Sequence, residues 1–191
     1  AVVTASKRAM VVADLPFGSY ESSPELALAT STRFFKEAGA MAVKLEGAHL
    51  ETVKKLVSVG IPVMGHLGLT PQSLHQLGGY RVQGRTDGDV ILAAALELEK
   101  AGAFAIVLEL VPAELAARIT AALKIPTIGI GAGVNCDAQV LVWTDLMGMG
   151  KSAPKLAKAY RNLRVEMLAA TKEWSDDVIG GVFPGPEQTF N

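Results

Sequence analysis

The sequence predicts an α/β fold in which helices cover a parallel sheet. Short β-rich runs alternate six times with longer amphipathic runs along the 191 residues. This alternation implies right-handed βαβ crossovers, because parallel strands need a long connection between them. Each unit averages about 31 residues, the same spacing as in an eight-unit barrel of roughly 250 residues. The count therefore fits a (β/α)8 barrel lacking two units as well as a six-stranded open sheet.

The predicted elements follow one another in strict order. The strands are residues 9–14, 41–46, 61–65, 104–109, 126–130 and 139–143. The helices lie near residues 23–38, 49–59, 88–101, 112–123 and 152–171. Ser23 before Pro24 is typical of an N-cap with proline in the first turn. Three glycines stand where helices should stop before the next strand: Gly39, Gly60 and Gly102.

No linker or charge block marks a domain boundary, so we predict one partial barrel domain over residues 1–191. Its Gly- and Pro-rich end, residues 176–191, is predicted to be an irregular tail. The 18 Lys and Arg residues nearly balance the 19 Asp and Glu residues. The chain therefore has no net positive charge to attract nucleic acid, and we expect no nucleic-acid partner. No apolar run approaches the roughly 18 residues that a membrane span needs. Cys136 is the only cysteine, which excludes an internal disulfide and indicates a cytoplasmic location.

Charged side chains stand at the ends of the predicted strands. In parallel α/β folds the functional site lies at the carboxyl ends of the strands. Buried charge is costly unless it is paired or metal-bound. We therefore expect an active site lined by Asp14, Lys44, Glu46, His66 and Glu109. The alternative for Lys44 and Glu46, which share one face of their strand, is a structural ion pair in a barrel core.

The residue types indicate a chemistry. Two carboxylates on neighbouring strands, together with waters, suit Mg²⁺. This ion can chelate a 2-oxo acid and stabilise the enolate formed when a carbon-bound proton leaves. A nearby lysine can hold the substrate carboxylate as a point charge. The set indicates C–C bond chemistry at an oxo acid.

Eight motifs in order then resemble one known family. They are ADLPFGSY (13–20), AVKLEG (42–47), PVMGHLGLTPQS (62–73), GGYRVQGR (78–85), VLELVPAELA (107–116), IPTIGIGAG (125–133), QVLVW (139–143) and FPG (183–185). Together they closely resemble the 3-methyl-2-oxobutanoate (ketopantoate) hydroxymethyltransferases, essentially from end to end of the chain. The resemblance implies a (β/α)8 TIM barrel of the phosphoenolpyruvate/pyruvate type, with only about six βα units present here.

The resemblance also implies an activity and roles for the candidate residues. Members of the family transfer a hydroxymethyl group from 5,10-methylenetetrahydrofolate to 3-methyl-2-oxobutanoate in pantothenate biosynthesis. The resemblance also implies a homo-oligomer, often a decamer. Asp14 and Glu46 look like the Mg²⁺ carboxylates, and Asp14, Lys44 and His66 like substrate-binding residues. Glu109 matches the proton-transfer residue, although His66 is the alternative base.

The chain departs from the family pattern at its beginning. The family normally has two further βα units before ADLPF, including a VGDS strand end that supplies another metal-site aspartate. Two other functions therefore stay open: a different Mg²⁺-dependent oxo-acid C–C lyase on the same barrel, and a truncated, non-catalytic assembly module. The long stretch between His66 and Gly88 is a candidate lid. Within it, Arg81 and Arg85 could meet the anionic tail of folate, an oligomer neighbour or only solvent.

Overall fold

The computed structural model describes residues 1–190 and forms one parallel sheet of six strands in sequential order. The strands are β1 (Val12–Asp14), β2 (Ala42–Lys44), β3 (Val63–Gly68), β4 (Ala105–Glu109), β5 (Thr127–Ile130) and β6 (Ala138–Gln139). Every neighbouring pair is parallel. The six-unit α/β architecture is therefore confirmed.

Helices connect the strands and follow the sheet. They are α1 (Val2–Ala5), α2 (Pro24–Arg33), α3 (Leu50–Ser58), α4 (Gly88–Lys100), α5 (Ala113–Ala122), α6 (Trp143–Leu146) and α7 (Leu163–Ile179). A π-helical turn, Phe34–Ala38, continues α2, and two 3-10 turns lie at Pro71–Ser73 and Pro186–Gln188. Within residues 1–190, none of these helices has the length and apolar character needed to cross a membrane.

The chain divides into two compact units, Ala1–Val140 and Leu141–Asn191. The first unit contains the whole sheet, helices α1 to α5 and a core between the sheet and those helices. The largest fully buried side chains of this core include Leu15, Leu45, Leu56, Leu98, Ile106, Leu108 and Ile119. The second unit contains α6 and α7, and α7 has no buried residue. Our prediction of a single domain over residues 1–191 stays a prediction.

The predicted helix signals act as expected. The Ser23 hydroxyl accepts a hydrogen bond from the Leu26 N–H at 3.2 Å, and Pro24 opens α2. Gly39 ends the π-helical turn with a φ of 72°, a left-handed conformation that side chains with a Cβ rarely adopt. These signals fix where α2 begins and where the chain turns towards β2.

Three predicted boundaries are wrong. β3 continues to Gly68, so His66 lies inside the strand and not after it. The predicted strand 139–143 is mostly not a strand, because β6 ends at Gln139 and Trp143 opens α6. The last helix occupies Leu163–Ile179 and not residues 152–171, so the irregular tail begins after the helix and not at residue 176.

Candidate active site

Lys44 connects the first two strand ends of the candidate site. It ends β2 directly opposite Asp14, the last residue of β1. The Lys44 Nζ lies 2.8 Å from Asp14 Oδ1 and 3.3 Å from His66 Nδ1 on β3. The Lys44 side chain is 17% exposed and that of Asp14 is 53% exposed. The positive charge of Lys44 is therefore balanced by one carboxylate, that of the more exposed Asp14.

His66 lies between Lys44 and Glu109. An ammonium group has three donors and no acceptor, so in this contact Nδ1 of His66 is the acceptor. Nε2 is buried and lies 3.3 Å from Glu109 Oε2 at the end of β4. Within residues 1–190 this nitrogen makes no hydrogen bond of acceptable geometry, although the distance is short. A buried ring nitrogen thus stands beside a carboxylate without a hydrogen bond to it.

Glu46 is nearly buried just beyond β2. The chain stays extended there, because Leu45 N–H donates to Met64 O at 3.3 Å and Gly47 N–H donates to His66 O at 2.9 Å. The Glu46 Oε1 lies 3.9 Å from His66 Nδ1. Its Oε2 accepts a 2.9 Å hydrogen bond from the backbone N–H of Gln72. Burial of this carboxylate is therefore partly compensated by a backbone donor.

Sequence reasoning missed two neutral residues that contact this region, Tyr20 and Gln72. The Tyr20 hydroxyl donates to Gln72 Oε1 at 2.7 Å and accepts from the Glu46 N–H at 3.3 Å. Burial raises the pKa of Tyr20 to about 12, so the phenol is protonated at neutral pH. Both residues lie inside motifs already noted, ADLPFGSY and PVMGHLGLTPQS, but their types gave no chemical signal.

The backbone next to Glu109 is unusual. Leu110 has a φ of 47°, and among residues 1–190 it is the only non-glycine residue with a positive φ. Gly68, paired with Glu109 across the sheet, has a φ of 91°, and a Cβ there would overlap the Glu109 carbonyl oxygen. The Glu109 carbonyl also accepts the Leu69 N–H at 2.8 Å. Strained residues of this kind concentrate at functional sites.

The structure thus brings the five predicted side chains to one edge of the sheet. Asp14, Lys44, His66 and Glu109 form a continuous chain of short contacts across β1 to β4, and Glu46 adjoins His66. Within the described part of the chain, no three His, Cys, Asp or Glu residues are grouped so as to hold a metal ion. The donors available for a hard cation are the two carboxylates of Asp14 and Glu46, and their roles stay predictions.

Arg81 and Arg85 are both exposed, and neither takes part in the contacts that join the five residues. Arg85 lines a cavity of about 560 Å³ at the first turns of α4 and α5, which Arg118, Asp89 and Glu114 also line. None of the five candidate site residues lines that cavity. Acidic side chains there balance the arginines, so the cavity by itself does not indicate an anion.

The fold defines an α/β chain of six βα units around one parallel sheet, as in part of a TIM barrel. A solved phosphoenolpyruvate phosphomutase from Streptomyces platensis subsp. rosaceus has the same fold, with a TM-score of 0.53 and 13% identity. The match covers 93% of this chain and 64% of that one.

The family model for ketopantoate hydroxymethyltransferase matches residues 1–186, and the chain belongs to this family. Its relatives include proteins named 3-methyl-2-oxobutanoate hydroxymethyltransferase from Frankia alni, 59% identical, and from Saccharopolyspora erythraea, 58% identical. Both matches cover 100% of this chain, but they cover only 64% and 66% of the respective relative. The chain thus spans about two thirds of the length of the curated relatives it matches. The resemblance noted in the sequence is confirmed.

Proposed function

We propose that the complete protein containing these residues transfers a hydroxymethyl group from 5,10-methylenetetrahydrofolate to 3-methyl-2-oxobutanoate. The products are 2-dehydropantoate and tetrahydrofolate, in pantothenate biosynthesis. The observation that carries the proposal is the chain of contacts from Asp14 to Glu109, in a protein 53–59% identical to relatives named for this reaction. A single cysteine supports a cytoplasmic location.

In this proposal Lys44 holds the carboxylate of the oxo acid. Its ammonium has three N–H donors, and two of them face Asp14 and His66. The third can meet the substrate at the carboxyl edge of the sheet. Because Asp14 compensates the charge only on one side, Lys44 keeps an attraction for an anionic substrate.

Asp14 and Glu46 would hold Mg²⁺. Hard oxygen ligands from two neighbouring strand ends fit this ion, which keeps part of its water shell. When bound, it would supply an electrophile that lowers the cost of negative charge on the keto oxygen. Glu46 is the better fixed of the two, since one of its oxygens is held by a backbone N–H.

Glu109 is the proposed base that removes the proton from C3 of the oxo acid. The bond to hydrogen breaks, its electron pair passes into the enolate, and the proton moves to the carboxylate. His66 Nε2 lies 3.3 Å from this carboxylate, so the alternative base stands directly beside it. C3 then bonds to the methylene carbon of the folate as one of that carbon's two bonds to nitrogen breaks. Water displaces the second nitrogen and supplies the hydroxyl oxygen, and tetrahydrofolate leaves with one proton on each nitrogen, one from C3 and one from water.

The proposal is tested by proton exchange at C3 without folate. The complete protein, incubated with 3-methyl-2-oxobutanoate and Mg²⁺ in D₂O, should replace the C3 hydrogen by deuterium, measured by NMR. We expect Glu46→Ala to abolish the exchange and Glu109→Gln to slow it about 10²–10⁴-fold, the usual contribution of a general base.

Glu114→Gln is the matched control, because this exposed carboxylate lies in the first turn of α5 and away from the strand-end chain. It should exchange at the wild-type rate. Full exchange in Glu109→Gln would indicate that His66, and not Glu109, is the base. No exchange by the folded wild-type protein would contradict the proposal and favour a non-catalytic assembly module.

We also propose that the complete protein is a homo-oligomer, with a decamer as the expectation. Large apolar side chains on and after α7 are more than half exposed, which supports association: Val165, Leu168, Trp174, Ile179 and Val182. Sedimentation velocity measures the mass directly, and a monomer at micromolar concentration would contradict this assembly.

A further inference from the structure

Gln72 makes hydrogen bonds to three separate parts of the candidate site. Its backbone N–H donates to Glu46 Oε2 at 2.9 Å. Its side-chain Nε2 donates to the Leu15 carbonyl at 2.9 Å, immediately after β1, and its Oε1 accepts from the Tyr20 hydroxyl at 2.7 Å. The side chain therefore uses both ends of its amide on the loop after β1, while its own backbone N–H contacts Glu46, two residues after the end of β2.

Tyr20 closes this network on the side of Glu46. It is only 2% exposed, and its hydroxyl accepts the Glu46 N–H at 3.3 Å while donating to Gln72. The backbone of Glu46 thus contacts Tyr20, and the carboxylate of Glu46 contacts Gln72. Buried networks in which each member is satisfied hold one geometry, because any other arrangement leaves a polar group without a partner.

We propose that Gln72 is a positioning residue for Glu46. Held by Leu15 and Tyr20, its side chain fixes the turn at Pro71–Ser73 so that its own N–H aims at one carboxylate oxygen. That bond selects one rotamer of Glu46 and leaves Oε1 free to face the substrate region. The functional part of this inference rests on the proposed role of Glu46 as a cation ligand, whereas the geometric part does not.

Cation binding tests the functional part in the complete protein. Mn²⁺ serves as the probe, because free and bound Mn²⁺ are distinguished by electron paramagnetic resonance. Residues that orient a metal ligand change affinity about 10–100-fold when they are replaced. We therefore expect Gln72→Met, which keeps the length but has no hydrogen-bonding amide, to raise the Mn²⁺ Kd about tenfold or more. Tyr20→Phe, which removes one oxygen, should raise it in the same direction.

Gln76→Ala is the matched control, since Gln76 lies exposed in the same segment. It should bind Mn²⁺ like the wild type. A purely structural role for Gln72 would lower the melting temperature of Gln72→Met and leave the Mn²⁺ Kd unchanged, so an unchanged Kd in folded Gln72→Met and Tyr20→Phe overturns the inference. If Gln72→Met does not fold, Tyr20→Phe decides alone.

The rotamer of Glu46 is a second readout that needs no cation. A crystal structure of Gln72→Met, or of Tyr20→Phe, should show the Glu46 carboxylate turned from its wild-type position, and an unchanged rotamer in both overturns the positioning role. Failure of wild-type protein to bind Mn²⁺ would instead contradict the cation role of Glu46. In that case the rotamer alone decides whether Gln72 positions this carboxylate.

Discussion

At the scale of single residues, Gly68 shows how closely β3 and β4 approach beside Glu109. The residue has a φ of 91°, and an added Cβ would meet both the Glu109 carbonyl and the Val111 side chain. A left-handed backbone costs a non-glycine residue roughly 1–2 kcal/mol before any contact is counted. The backbone carbonyl cannot move aside without breaking the Leu69–Glu109 hydrogen bond. Gly68 thus limits the geometry of the proposed base.

We predict that Gly68→Ala destabilises the protein by about 2 kcal/mol more than Gly18→Ala. Gly18 is the matched control, because it has a similar φ of 85° but nothing within 4 Å of an added Cβ. Urea unfolding of both variants measures the difference in the free energy of unfolding. Equal losses would show that backbone strain alone, and not the contact with Glu109, makes glycine necessary at position 68.

Tyr20 gives a pH dependence of known sign. Burial raises its pKa from 10.0 to about 12 in the folded state. Between pH 10 and 12 the unfolded chain has lost this proton and the folded protein keeps it, so stability falls as pH rises. The stabilisation is fully present below pH 10. The slope is about 1.4 kcal/mol per pH unit.

We expect Tyr20→Phe to lack this contribution, so the stability difference between wild type and variant should shrink from pH 10 to 12. Urea unfolding with EDTA present measures it. Tyr80→Phe, at a residue 72% exposed, should keep the wild-type slope. Parallel stability curves for wild type and Tyr20→Phe would show that this phenol is not buried in solution.

The five titratable site residues could be predicted from the sequence, and Tyr20 and Gln72 could not. A charge at the end of an apolar strand is visible in the sequence, because burying it is costly. A neutral tyrosine or glutamine carries no such signal. Its role depends on partners 26 to 57 residues away in the chain, and only the folded chain brings those partners together.

At the scale of elements, local signals predict the beginning of α2 well. The Ser23 side chain accepts the Leu26 N–H, and Glu25 lies in the first turn, where the helix dipole favours an acidic group. We predict that Ser23→Ala lowers the free energy of unfolding by about 1 kcal/mol. Chemical denaturation measures this loss, with the exposed neighbour Ser22→Ala as control. Equal effects of the two changes would contradict the cap.

Elements after residue 138 were predicted poorly, for a physical reason. QVLVW resembles a strand in composition, but a strand also needs a neighbour, and β6 pairs with β5 only at Ala138 and Gln139. The start of the last helix is set by Asn162, whose side chain accepts the Val165 N–H. Apolar composition predicts that a strand and a helix lie in this region. Strand pairing and helix capping, which composition does not show, decide where they begin and end.

At the scale of the whole molecule, the apolar core belongs to the first unit. The cluster of buried core residues lies between Leu15 and Ala132. By contrast, residues 150–162 form neither helix nor strand and contain four exposed basic residues, Lys151, Lys155, Lys158 and Arg161. Exposed, irregular segments open at low free energy. The two units should therefore differ in resistance to proteases.

We predict that trypsin cuts the native protein within residues 150–162 before it cuts within the helices of the first unit. A time course followed by mass spectrometry identifies the initial cuts. Initial cleavage at Lys54 or Lys100, which lie in α3 and α4, would contradict the assignment of the core to the first unit.

The order of six parallel strands could be predicted from alternation alone, but the choice between an open sheet and part of a barrel could not. Both architectures use the same βαβ unit, and the difference lies in how far each strand turns relative to the next. Motifs and their resemblance to a family decided the question, and the match in fold to a solved barrel enzyme confirmed it.

Hydrogen bonds connect the segment between β3 and α4 to the rest of the first unit at two points. The Gln72 side-chain Nε2 donates to the Leu15 carbonyl, and the Gln83 N–H donates to the Leu110 carbonyl at 2.9 Å. Between these two points, residues 73–79 donate their backbone hydrogen bonds to carbonyls of the segment itself, as Leu77 N–H does to Ser73 O. Changes there, for instance at Tyr80, are accordingly expected to leave the positions of the strand-end side chains unaltered.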